Sequence, residues 1–180
     1  RRTAGKSCND DGDWNPGIIA TARRRIIAEN LLRSDYLEIR AGRESMETRV
    51  DKVAEKHKNG YNCAQAVACA YCDLVGIDEE TMFRMTEGLG LGMGGMEGTC
   101  GAITGAVAVI GAIKSCGDIE KPVSKAATYK LTGELVKRFQ EKNQATKCKD
   151  LKGIETGKAL RSCPGCIEDA TAILEEILAE

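Results

Sequence analysis

The chain has 180 residues, with 26 Lys+Arg against 27 Asp+Glu and a net charge of −1, a length that suits one domain with a real core. Without a basic surplus, and with only Trp14, Phe83, Phe139 and four tyrosines as aromatic platforms, nucleic-acid binding is not expected. One histidine, His57, excludes sites built on two or three His, while nine cysteines point to sulfur chemistry.

The longest apolar run, residues 102–113, holds about 12 residues against the roughly 20 that span a bilayer, so no membrane span is expected. The N-terminus lacks the positive–apolar–small pattern of an export signal. With an odd cysteine count and a length that needs no staples, these features predict a cytoplasmic protein. There, clustered cysteines serve as metal ligands or redox groups.

Residues 1–45 read differently from the rest. They carry nine basic and seven acidic side chains and include Arg23-Arg24-Arg25. Their apolar positions have no 3.6-residue period. They are expected to be a leader or non-native extension; the other reading is a basic arm that packs on the body. Residues 46–180 are expected to form a single helical cysteine-rich domain.

From Met46 the pattern is helical. Val50, Val53, Ala54 and His57 share a face, and Asn59-Gly60 stops that helix. Asn62 caps a second helix carrying Ala64, Val67, Ala68, Tyr71 and Leu74 to a stop at Gly76. Asp78 caps a third, through about Glu87. Residues 88–98 contain six glycines and hold no regular element. Thr99 caps a helix over residues 100–115, so apolar that burial on all faces is expected. Pro122 opens a long helix with Val123, Ala127, Leu131, Leu135 and Phe139 every four residues. A loop with Cys148 and a last helix from Cys166 complete an all-α bundle of about five to six helices around the central Gly/Ala/Val-rich one.

Cys63 and Cys100 each follow a capping residue. A helix N-terminus stabilises an anion, so both are candidate dipole-activated thiolates. Cys148 lies between Lys147 and Lys149, which favour thiolate. Cys163-Pro164-Gly165-Cys166 has the spacing of a dithiol or of two ligands on one metal. Cys69 and Cys72 fall on one face of the second helix and read as core packing. Cys116, at the wrong end of a helix dipole, is left out. The glycine stretch lacks the strand and lysine of a nucleotide site; Gly94, Gly95 and Gly98 are instead expected to let backbone approach a cluster or small molecule beside Cys100.

Gly60-Tyr-Asn-Cys-Ala-Gln-Ala-Val67, the glycine-rich loop, Cys100-Gly-Ala-Ile-Thr-Gly-Ala106, Cys148 and a last cysteine before a terminal helix resemble the C_GCAxxG_C_C family of redox-active proteins. The resemblance covers about residues 47–180. It implies a small helical protein whose four family cysteines are Cys63, Cys100, Cys148 and, here, Cys166. Redox work, inferred for the family from its cysteines, is the implied activity, by dithiol exchange or by an iron–sulfur or zinc centre on the same four thiols with Cys163 as a further ligand. Family genes often neighbour transporter genes, so a transporter or electron-transfer partner is implied. The alternative is an accessory protein that binds a metal or small molecule. Without Cys-x-x-Cys-His, no c-type haem is expected.

Overall fold

The computed structural model describes residues 48–180; the expected leader and Cys8 lie outside them. They fall into two units, one of Thr48–Ile113 with Thr128–Glu180, the other holding Lys114–Ala127. The fold is all-α, and among the described residues there is no strand. Eight helices occur there: α1 (Arg49–Lys58), α2 (Cys63–Cys69), α3 (Cys72–Val75), α4 (Glu79–Thr86), α5 (Gly101–Lys114), α6 (Lys125–Asn143), α7 (Cys148–Lys152) and α8 (Cys163–Ala179). A 3-10 turn over Glu87–Leu89 follows α4. No helix among the described residues is long and apolar enough to cross a membrane.

There are more segments than the five or six expected because two expected features differ locally. The helix read through to Gly76 breaks after Cys69: Ala70 and Tyr71 N–H groups turn back to Val67 and Ala68 oxygens, three residues away. Arg49 holds this break by donating to the Ala70 carbonyl at 2.5 Å and lying 4.8 Å over the Tyr71 ring. Leu74, placed by the pattern on the buried stripe, is therefore exposed. Residues 148–152, read as loop, form a helical turn ended by Gly153 in the left-handed region.

Pro122 precedes α6 rather than opening it, and the buried side chains there are Leu135, Phe139 and Asn143. The helix expected to be buried all round, α5, buries Ala102, Ile103, Ala106, Val109 and Ile110, whereas Val107 and its last turn are half-buried. The densest burial lies in α2, where every residue after Cys63 is buried, and along α8. α8 packs on α1 and α2, and α2 on α4. Gly105 lets α5 approach α2: a Cβ there would stand 2.5 Å from the Ala64 carbonyl oxygen.

Candidate thiol site

Asn62 positions the first thiol. Its side-chain oxygen accepts from Ala64 and Gln65 N–H at 3.0 Å, Gln65 returns a bond from the Asn62 N–H, and the Asn62 amide donates to the Glu87 carbonyl at 2.9 Å. Gln65 also donates to the Phe83 carbonyl, and Tyr61 meets Phe83 edge to face at 4.8 Å. The Tyr61-Asn62-Cys63-Ala64-Gln65 run thus fixes the start of the glycine segment over α2. Cys63 occupies the first helical position of α2, and the Leu91 N–H donates to its sulfur.

That donor lies on an unusual turn. Leu91 (φ 51), Gly92 (φ 59), Met93 (φ 60) and Gly94 (φ 84) are all left-handed, as is Met96 (φ 64). A non-glycine residue there costs roughly 1 kcal/mol or more. Bonds from Gly94 to Gly90, Met96 to Leu91 and Gly98 to Gly92 carbonyls hold the turn. Glycine is required at Gly92, where a Cβ would stand 2.7 Å from the Cys148 Cβ, and at Gly98, where it would meet the Gly92 oxygen at 2.9 Å. A Cβ on Gly94 or Gly95 would meet nothing within 4 Å.

The glycine segment then pairs with the chain entering α7. Thr99 bridges Lys147, the Cys100 N–H donates to the Thr146 carbonyl at 2.8 Å, and the Cys148 N–H donates to the Gly98 carbonyl at 3.0 Å. This short antiparallel contact draws Cys100 and Cys148 together from 48 residues apart in sequence. Cys100, not Thr99, is the cap of α5. Its carbonyl accepts from Thr104 N–H, and its sulfur accepts from the Ala102 and Ile103 N–H groups. The last helix begins at Cys163 rather than Cys166. Ser162 caps it by accepting from Gly165 N–H, and Pro164 sits in the first turn, where its missing N–H leaves no gap. Cys163 and Cys166 therefore share a helix face.

Cys166 S–H donates to the Cys100 sulfur. This bond, with the helix amides and Lys152, outweighs burial and holds Cys100 down to about 7. The same bond, then burial, pushes Cys166 far up. Cys63, Cys148 and Cys163 lie within charge range of this pair. Burial raises Cys63, which defeats the dipole activation expected for it, and pushes Cys148 up to about 11. Lys149 does not favour a Cys148 thiolate, because it is paired with Glu97 and Glu155; Lys152 is the cation that faces the thiols. Cys63, Cys69, Cys72, Cys100, Cys148, Cys163 and Cys166 are free thiols. Among the described residues, no three His, Cys, Asp or Glu side chains are placed to hold a metal ion, so the donor chemistry suits iron or zinc but the arrangement does not.

One cysteine expectation reverses and another is extended. Cys116 lies beyond the end of α5, and there the Ser124 hydroxyl, followed by the Asp118 N–H, holds its thiol down to about 6. Cys69 lies in the core as expected, with Cys72 packed against it, and the Cys69 S–H also donates to the Cys72 sulfur. The spacing placed Cys69 and Cys72 on one face, but neither their bond nor the Ser124 contact of Cys116 was visible in it, since these depend on a helix break and a loop.

The family model described as "Putative redox-active protein (C_GCAxxG_C_C)" matches residues 61–177. No curated protein and no solved structure matches the chain. The matched span holds all five of these thiols, the glycine turn beside Cys63 and Cys148 and the helices that carry them, and the chain belongs to the C_GCAxxG_C_C family.

Proposed function

We propose that the chain performs thiol–disulfide exchange with Cys100 as attacking thiol and Cys166 as resolving thiol. The observation that carries this is the Cys166 S–H donating to a Cys100 sulfur that also caps α5. The cap amides and the donated proton stabilise a thiolate, the nucleophilic form. Cys100 attacks one sulfur of a disulfide, forming a mixed disulfide and releasing the other half as a thiolate. That thiolate takes the Cys166 proton. Cys166 then attacks the Cys100 sulfur, expelling the second half as a thiolate. Two protein thiols become one disulfide, and one substrate disulfide becomes two thiols. Burial keeps the neighbouring Cys63 and Cys148 as thiols, and Lys152 offsets the negative charge that develops.

The test is anaerobic purification followed by oxidised glutathione and mass mapping of disulfides. A Cys100–Cys166 bond is the expected product. Cys166→Ser should trap a glutathione adduct on Cys100, and Cys100→Ser should abolish the reaction at this pair. Stoichiometric iron or zinc, or inorganic sulfide with visible absorbance, in the purified protein would overturn the dithiol reading in favour of a thiolate-held centre.

A further inference from the structure

We propose that Cys69 and Cys72 form a second, separate redox pair, which low-molecular-weight disulfides of the glutathione type oxidise to a Cys69–Cys72 disulfide. The pair stands at the opposite end of α2 from Cys63, about 9 Å away along the helix axis. Its two thiols already face each other, with Cys69 S–H donating to the Cys72 sulfur. In an unbroken α-helix, side chains three apart keep their Cβ atoms about 5–6 Å apart, whereas a disulfide needs about 3.8 Å. The break at Ala70–Tyr71 supplies the difference, because three-per-turn winding stacks a residue over the one three before it.

Nothing in the local sequence forces that break, since neither Gly nor Pro lies between Cys69 and Cys72. Arg49 imposes it from α1. Its guanidinium binds the Ala70 carbonyl, covers the Tyr71 ring and makes paired bonds of 2.7 and 2.8 Å to the Asp73 carboxylate. Three contacts from one side chain, to Ala70, Tyr71 and Asp73, hold the Cys-x-x-Cys turn. The two thiols also differ in access. Cys69 is 1% exposed, while Cys72 is open to solvent in part. Cys72 is therefore the entry thiol and Cys69 the resolving one. Glu79, Lys56 and Lys52 are the charged groups facing Cys72.

The chemistry balances with the disulfide as oxidant. Cys72, as its thiolate, attacks one sulfur and releases one glutathione thiolate, which takes the Cys69 proton. Cys69 then attacks the Cys72 sulfur and expels the second glutathione. Two thiols are oxidised and one disulfide is reduced.

The test treats the reduced full chain with oxidised glutathione, quenches in acid, alkylates free thiols and locates the bonds by fragment mass spectrometry. A Cys69–Cys72 bond is expected, forming in the Cys100→Ser variant at a rate within twofold of the unaltered chain. Cys69→Ser should accumulate a stable glutathione adduct on Cys72. The proposal is overturned if Cys69 and Cys72 both remain alkylated after exhaustive oxidation, or if either is found bonded to another cysteine instead. It is overturned also if Cys72→Ser leaves Cys69 taking up glutathione as fast as Cys72 does in the unaltered chain.

Discussion

A cysteine can do what Ser or Asp does at the start of a helix, and Cys100 does so with a group that ionises. The Ala102 and Ile103 amides bond its sulfur more strongly as thiolate than as thiol. Alkylation of Cys100, followed against pH by mass spectrometry, should have a midpoint near 7, below that of Cys63, which burial raises. A Cys100 midpoint at or above about 8.5, the free-thiol value, would end the assignment of Cys100 as attacking thiol. Cys166→Ala removes the largest stabilising contact and should move that midpoint upward. The folded-state value lies below the ordinary one. Its stabilising contribution is therefore complete above the ordinary thiol range and is lost as pH falls through about 7. Cys116 is the reminder that helix position alone misleads: the Ser124 hydroxyl, followed by the Asp118 N–H, outweighs burial and favours its thiolate.

At the scale of elements, the sequence shows where helices lie better than where they bend. Asn62, Asp78 and the Gly76 stop all behave as their residue types dictate, because caps are local chemistry. The break after Cys69 was not legible, since its cause is Arg49, twenty residues upstream. The cap at Cys100 was displaced by one residue because Thr99 is taken up in pairing with Lys147. Glycines in α5 separate by position in a testable way. A Cβ at Gly105 would meet the Ala64 oxygen at 2.5 Å and its Cα at 3.0 Å, backbone atoms that cannot rotate aside. Gly105→Ala should destabilise by roughly 1–3 kcal/mol in denaturant unfolding. A Cβ at Gly111 meets nothing within 4 Å among the described residues, so Gly111→Ala should be neutral or stabilise by up to about 1 kcal/mol. Equal effects at the two sites would mean that α5 does not approach α2 at Gly105.

At the scale of the molecule, one buried carboxylate ties distant segments together. Asp169 on α8 keeps 5% of its side chain exposed and pairs with Lys142 of α6 and Arg161 ahead of α8, each at 2.9 Å. Burial alone would raise its carboxyl, but the two cations hold it below the ordinary range. The cations are the more exposed partners, so water recovers them if Asp169 is lost. Removing both with Lys142→Ala and Arg161→Ala leaves a buried charge unmatched and should cost roughly 3–5 kcal/mol in thermal or denaturant unfolding. The depressed carboxyl stabilises the fold above its ordinary range, and that contribution disappears as pH falls through the lowered value. The double variant should therefore unfold at higher pH on the acid side. A double variant as acid-resistant as the parent would show that the pairing adds nothing. Neither cation could be matched to Asp169 from sequence, because the pairing requires α6 and α8 to be already packed.

The seven residues of α2 have a further consequence for how the chain sorts its own sulfurs. A disulfide tolerates Cα atoms up to about 6.8 Å apart, and a formed α2 keeps Cys63 and Cys69 about 9 Å apart. The helix acts as a ruler that forbids scrambling between the sulfurs at its two ends. A Cys63–Cys69 bond trapped during oxidative refolding would then count the chains in which α2 had not yet wound, making misbonded isomers a clock for when that helix forms.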